Sequence, residues 1–456
     1  MTPVRVLALD HYFDQDLRAL EANPRLDVRR FPYQRFRSPA MRIMGDAVAR
    51  GLDAYNNPAL AQARGRYAAW LERDLHRLYL ERAFDVLVLP SDTFFYVRTL
   101  PAAAHRLGLP VVVVQKETTI SQATMETFSK EVAAAAPFIS DFMTVCSERQ
   151  REFWTRAGSN PDLIEITGQT RFDVYASSTH GPPSPRKRVL FLTYALDAYV
   201  PGAGRGDGAT TWESLRTETE TELLEQVRTG NCEVIVKCHP QQDHAAEAKR
   251  LAALAGPEWK RGLSLAAPDA DTRELIMAAD VVVGFQTTAL YEAVAAGRSV
   301  IYAAWGEAYE RYKDGLIPFD RAPVDCVRHA RSAQMLATLL TEQASPRSSG
   351  CETWYEWALG AVDGHSTDRV AGRLAMVASA WSATDARREL DGQRRRFAVG
   401  LLARSIAKEA VWTAATPVSG VFGQQRRVGI RRGRARDARR IAARNLANRD
   451  VSRGEG

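Results

Sequence analysis

Residues 280–301, DVVVGFQTTALYEAVAAGRSVI, hold two adjacent hydroxyls and a glutamate inside a pattern of strand, tight turn, helix and next strand. The free N–H groups and positive dipole end at a helix start favour phosphate. Thr287 and Thr288 stand where their hydroxyls would reach it, and Glu292, one turn on, is placed to accept hydrogen bonds from ribose hydroxyls. The plain alternative is that one threonine caps the helix and Glu292 is solvated. A second cluster lies at residues 233–240, EVIVKCHP. Period-two alternation puts Lys237 and His239 on one side of a strand, and Pro240 stops it. In an open parallel sheet, ligands bind beyond the carboxyl ends of the strands, and both clusters occupy such ends. Each is weak alone; together they suggest a nucleotide-linked ligand.

Such sites need a βα frame, and the chain alternates strand and helix patterns with no repeat or low-complexity segment. Strands are expected at residues 4–9, 26–31, 85–89, 110–114, 142–146 and 163–167, with the longest helix over about 57–82. Gly181-Pro182-Pro183-Ser184-Pro185 reads as a linker. Beyond it, strands are expected at 188–192, 233–237, 263–265, 280–283, 299–302 and 324–327. The economical architecture is α/β: two doubly wound, Rossmann-like domains facing a cleft, residues 1–180 and 186–385, the second closed by helices over roughly 350–385. Residues 386–456 form a basic, helical or disordered tail.

VKCHP followed by DVVVGFQTTALYEAVAAG resembles the nucleotide-binding half of bacterial GT-B glycosyltransferases that carry an HP motif and a Ser/Thr pair. These include capsule Kdo transferases, sialyltransferases and CDP-glycerol glycerophosphotransferases; the same half is also similar to UDP-N-acetylglucosamine 2-epimerase. Residues 144–173, ending in TG-x-x-x-FD, resemble the domain-crossing stretch of these proteins, and residues 362–369, VDGHSTDR, resemble a D-G-x-[AS]-x-R element of surface-carbohydrate enzymes. The resemblance implies that His239, Thr287 and Thr288 contact the phosphate of a CMP- or CDP-linked donor. It also puts nucleobase contacts on the loop from Ala267 to Asp269 and makes Glu292 the ribose ligand.

Other motifs point elsewhere. Asp269-Ala270-Asp271 matches the metal-holding D-x-D of other transferases, but Asp271 and Glu274 have capping-box spacing before an expected helix at 272–279. No metal or other cofactor is required; the nucleotide-sugar is a substrate. The glycine-rich stretch 202–208 lacks the Lys-Ser/Thr of a P-loop and reads as a loop with Arg205 as a candidate phosphate contact. A G-x-S-x-G elbow is missing. Deprotonating an attacking acceptor calls for a base in the first domain. The candidates are Asp10, His11, Asp92 and, preferred, Glu117, which follows four valines in the polar cluster QKETT. Its alternative is a capping or solvated glutamate. The CDP-glycerol glycerophosphotransferases carry Trp-His-Gly at the comparable strand end, a departure that disfavours glycerophosphate transfer.

A chain of 456 residues is ample for two or three domains. A core strand starts within three residues of Met1 and no apolar run approaches the ~20 residues of a membrane span, so a cytoplasmic protein is expected. Five cysteines without C-x-x-C spacing suggest neither a disulfide framework nor a zinc set, with Cys146, Cys232 and Cys238 as core residues. Residues 386–456 carry 18 Lys/Arg against 6 Asp/Glu, while the whole chain is only +7. Within them, residues 394–412 suggest a helix with an apolar patch of Phe397, Leu401, Leu402 and Ile406. Such a tail suits an anionic membrane at the inner face of the cell, or remains a solvated run. No specific nucleic-acid motif accompanies it. The sequence thus points to a metal-independent, inverting glycosyltransferase that uses a nucleotide-sugar donor and a glycan or lipid-linked acceptor. The alternatives are a UDP-sugar 2-epimerase, a CDP-glycerol glycerophosphotransferase and a non-catalytic nucleotide-binding scaffold of glycan assembly.

Overall fold

A computed structural model describes residues 2–11, 13–49, 55–116, 120–176, 186–196, 208–343 and 349–421. Two six-stranded sheets organise the chain. The first contains β1 (Val4–Asp10), β2 (Leu26–Pro32), β3 (Val86–Leu89), β4 (Val111–Val114), β5 (Phe142–Val145) and β6 (Ile164–Ile166), in the order β2-β1-β3-β4-β5-β6. The second contains β7 (Lys187–Leu192), β8 (Cys232–Lys237), β9 (Leu263–Leu265), β10 (Val281–Gly284), β11 (Ser299–Ala303) and β12 (Arg328–Ala330), in the order β12-β11-β10-β7-β8-β9. Their described pairings are parallel. Parallel sheets are covered on both faces, which is why β3, β4 and β10 read as valine and leucine runs and are buried throughout. Both orders reverse direction, between β1 and β3 in the first sheet and between β7 and β10 in the second. These are the switch points where ligands enter doubly wound sheets.

By compactness the chain divides into one unit of Met1–Val114, Ile139–Phe142 and Ala371–Gly456 and another of Gln115–Phe138 and Met143–Val370. In the first, Asp85 gathers Arg5 and Arg387: the Arg5 backbone N–H and Nε each donate at 2.9 Å, and Arg387 Nη1 donates at 2.9 Å. Arg387 also bonds Asp391, which accepts from the Tyr79 hydroxyl at 2.9 Å. The helix Asp385–Val421 is thereby fixed to the helix Ala61–Glu81. Residues 422–456 lie outside the described residues.

In the second unit, the TG-x-x-x-FD and D-G-x-S-T-x-R stretches lock onto each other. The Asp173 carboxylate accepts from the backbone N–H groups of Ser366 (2.9 Å) and Thr367 (2.7 Å), the start of the helix Ser366–Ser382. It caps that helix from a distant part of the chain, satisfying donors no intrahelical carbonyl can reach. Arg369 donates to the Thr167 carbonyl at 2.8 Å and forks onto Asp363, whose carboxyl it holds down at about 2. Two glycines make the approach possible. Gly168 (φ +78°) faces the Ser366 hydroxyl, and a Cβ on Gly360 (φ +81°) would meet the Cys146 carbonyl oxygen at 1.8 Å.

Two expectations are corrected. The strand expected at 324–327 is a turn, in which the N–H groups of Cys326 and Val327 both donate to the Pro323 carbonyl and Val324 is 74 % exposed; β12 starts at Arg328. Cys326 and Cys351, in a chain whose cysteine spacing suggests no disulfide framework, form a disulfide with Cα atoms 5.2 Å apart. They are 25 residues apart, and only the fold brings their Cβ atoms within bonding reach. Cys146, Cys232 and Cys238 are free and buried, in line with a core role. Asp271 caps the helix Thr272–Ala278 by accepting from the Arg273 N–H at 2.9 Å.

Gly360→Ala should lower the urea unfolding free energy by more than ~3 kcal/mol, since a left-handed φ and a backbone clash add, and Asp173→Ala by about 1–2 kcal/mol. A Gly360→Ala midpoint equal to the parent's would refute the lock. Thiol titration of the urea-unfolded, unreduced chain should find three groups, rising to five after reduction; five without reductant would remove the disulfide.

Candidate functional site

The carboxyl ends of β7, β8, β9 and β10 carry most of the expected donor-binding residues, all within the second unit. After β8 the chain turns tightly. The His239 N–H donates to Gln242 Oε1 at 2.7 Å, and the Gln242 N–H returns to the His239 carbonyl at 2.9 Å. The Gln241 N–H donates to His239 Nδ1 at 3.3 Å. An accepting Nδ1 leaves the ring proton on Nε2, and partial burial pushes the imidazole below its ordinary pKa. At neutral pH His239 is therefore a neutral ring with one N–H to donate. Lys237 reaches across to the loop after β9, its ammonium bonding the carbonyls of Ala267 (3.2 Å) and Pro268 (3.1 Å). His244 Nε2 bonds the Ala266 carbonyl at 2.8 Å. The strand end with Lys237 and the loop holding Ala267 and Asp269 are thus one assembly, with Ala267 and Asp269 exposed.

At the switch point, the Thr193 N–H following β7 donates to the Lys237 carbonyl at 3.2 Å. Among the described residues, the Thr193 hydroxyl is buried without a hydrogen-bond partner, as is Gln242 Nε2 in the His239 turn. In the turn after β10, Thr287 Oγ1 accepts from the Ala289 N–H at 3.3 Å, the capping arrangement. Thr288 makes no side-chain cap bond, and Gln286 Oε1 accepts from the Ile317 N–H at 3.0 Å. A Cβ on Gly284, the last residue of β10, would lie 3.1 Å from Leu290.

Glu292 is buried, not solvated, with 6 % exposure. Its Oε2 accepts from the Tyr175 hydroxyl at 2.7 Å, and its Oε1 lies 3.2 Å from Arg171 Nη2. Burial, followed by the Glu292 charge, raises the Tyr175 phenol. Removing one member of such a buried pair costs about 3–5 kcal/mol, more than one neutral hydrogen bond returns at about 0.5–1.5 kcal/mol. Holding a ribose would therefore require the network to exchange partners rather than open. Arg171, Tyr175 and Gln242 were missed in the sequence. Arg171 sits inside the TG-x-x-x-FD stretch, the one available signal; Tyr175 and Gln242 carry none.

In the first unit, the switch point between β1 and β3 collects three of the base candidates. Asp10 closes β1, with Arg30 Nη1 3.7 Å away. His11 is buried, its ring centroid 4.3 Å from that of Tyr33, 5.1 Å from Phe94 and 5.6 Å from Tyr96. Asp92, after β3, is fully buried. Its Oδ2 accepts from Ile139 N (3.0 Å), Ser140 N (3.2 Å) and Ser140 Oγ (3.0 Å), and Arg98 Nη1 stands 3.8 Å from Oδ1. Burial outweighs these bonds and raises its carboxyl above the ordinary range. Glu117 and Arg205 lie outside the described residues. Gln115, at the end of β4, is buried, and the Lys116 carbonyl accepts from Gln150 Nε2 at 2.9 Å. Among the described residues no group of three or more His, Cys, Asp or Glu side chains could hold a metal ion.

The sequence matches no protein-family model. A search of curated proteins found no match either. Among solved structures, the chain is similar to the UDP-GlcNAc 2-epimerase of Methanocaldococcus jannaschii at 12% identity and a TM-score of 0.50, covering 82% of this chain and 100% of that one. It is also similar to a protein of Listeria monocytogenes assigned as a UDP-N-acetylglucosamine 2-epimerase, at 15% identity and a TM-score of 0.49, covering 84% of this chain and 98% of that one. At such identity the M. jannaschii likeness establishes the fold alone: two parallel six-stranded sheets with flanking helices and a helical C-terminal region, a GT-B-like architecture.

Proposed function

We propose that this chain is an enzyme acting on a nucleotide-activated sugar, and that it inverts a sugar carbon in the manner of a UDP-sugar 2-epimerase. The observation that carries this is the set of polar strand ends of the second sheet, where among the described residues the Thr193 hydroxyl after β7 and Gln242 Nε2 lack hydrogen-bond partners and the His239 and Thr287 turns follow β8 and β10. Buried polar atoms without partners cost about 1–3 kcal/mol each, and a bound ligand supplies what they lack. In this reading the His239 Nε2–H donates to phosphate, Thr287 and Thr288 flank it, and the Ala267–Asp269 loop borders the base. Inverting a carbon that bears hydrogen requires a group to remove the hydrogen and one to return it. Asp92, its carboxyl raised by burial, and Glu117 are the carboxylates for that work. The fold shared with a UDP-GlcNAc 2-epimerase of M. jannaschii supports the choice.

Glycosyl transfer from a CMP- or CDP-linked donor to a cell-surface glycan or lipid-linked acceptor is the second reading. The Lys237-x-His239-Pro240 strand end and the threonine pair, which resemble those of HP-motif transferases, favour it.

A nucleotide panel separates the two by thermal unfolding, because a ligand of the native state raises the midpoint. UDP should stabilise the protein more than CMP, CDP, GDP or ADP; a cytidine preference would transfer weight to glycosyl transfer, and no response would end both readings. In deuterium oxide, UDP-N-acetylhexosamine should gain deuterium at the inverted carbon, seen by proton NMR. Tight UDP binding without exchange or inversion would leave a non-catalytic scaffold. His239→Ala should weaken UDP binding roughly tenfold, the loss of one charge-assisted hydrogen bond, while Asp92→Asn should bind UDP normally and lose about 100-fold or more in turnover.

A further inference from the structure

The helix Asp385–Val421 has two unlike sides. Leu390, Ala398 and Ser405 are buried, and Phe397, Leu401 and Leu402 are half-buried beside them. The apolar patch expected from the sequence is therefore largely spent on packing within the first unit. The outward side carries a different ridge: Val399, Ala403, Ile406 and Ala410, spaced i, i+4, i+7 and i+11, are all exposed, and Val411 lies next to it. Val399 is 55 %, Ile406 45 % and Val411 61 % exposed. Arg395, Arg396, Arg404 and Lys408 are exposed on the same helix. Residues 422–456 hold 11 Arg against 3 Asp/Glu.

An apolar ridge flanked by the Arg395 and Arg396 guanidinium groups matches one kind of surface. Branched aliphatic side chains gain from entering the acyl boundary of a bilayer, while basic groups remain at the headgroups. A nucleic-acid surface would satisfy the charges but leave Val399 and Ile406 against phosphate and water. No helix among the described residues is long and apolar enough to cross a membrane, so the contact lies along the surface.

We infer that the outward face of the helix Asp385–Val421, centred on Val399 and Ile406, docks on an anionic lipid bilayer. The dock uses none of the residues assigned above to nucleotide binding. The attraction is electrostatic and screened by salt, and each basic residue near an anionic surface multiplies partitioning by roughly fivefold.

The test is co-sedimentation of the full chain with vesicles of phosphatidylglycerol mixed into phosphatidylcholine, against phosphatidylcholine alone. Binding to the mixed vesicles and not the neutral ones is expected, weakening as salt is added. Two variants locate the contact. V399D/I406D and R395E/R396E should each lose at least tenfold in partitioning at unchanged melting temperature, since all four positions are exposed. The inference is overturned if the parent ignores anionic vesicles, if V399D/I406D binds as the parent does, which would assign binding to the charge of residues 422–456, or if single-stranded RNA is bound in place of vesicles.

Discussion

A parallel strand can be followed by another only after a crossover, and crossovers in one sheet share a hand. Every strand therefore ends at the same edge, and residues far apart in sequence arrive there together. Thr193, His239, Ala267 and Thr287 span nearly a hundred positions, yet they follow β7, β8, β9 and β10. Asp10 and Asp92 meet the switch point of the first sheet for the same reason. The chemistry each edge supports is a consequence of this directionality, since none of these residues is adjacent to another in the chain.

Buried charge is used in two ways. Glu292 is met by Arg171 and Tyr175, so its charge is compensated and its oxygens are engaged. Asp92 accepts three hydrogen bonds and still has its carboxyl raised, because burial outweighs them and the charge of Arg98, 3.8 Å away. The first arrangement fixes position. The second leaves a carboxyl that burial holds above its ordinary range.

Motifs that look chemical in sequence can be architectural in space. The D-G-x-S-T-x-R stretch contains two carboxylates, a histidine, two hydroxyls and an arginine, a set that invites a catalytic reading. In the fold, its first helical N–H groups take their acceptor from Asp173, and Arg369 is divided between Asp363 and the Thr167 carbonyl. Gly168 and Gly360 leave the room this closeness needs. Two segments nearly two hundred residues apart resembled carbohydrate enzymes independently; within the second unit they are halves of one joint.

The sequence by itself determined the βα alternation, eleven of the twelve strands, the cap at Asp271 and the strand-end position of both polar clusters. Hydrophobic runs, prolines and capping spacing are local, and local patterns survive in a linear reading. It missed β12, because Val324 and Val327 look like strand residues and only the Pro323 turn shows otherwise. Tertiary structure alone decided the Cys326–Cys351 bond, the burial of Glu292 against Arg171 and Tyr175, the tie from Lys237 to the Ala267–Pro268 loop, and which apolar side chains of the C-terminal helix face outward. Each depends on which distant surfaces meet, and distance along the chain carries no record of distance in space.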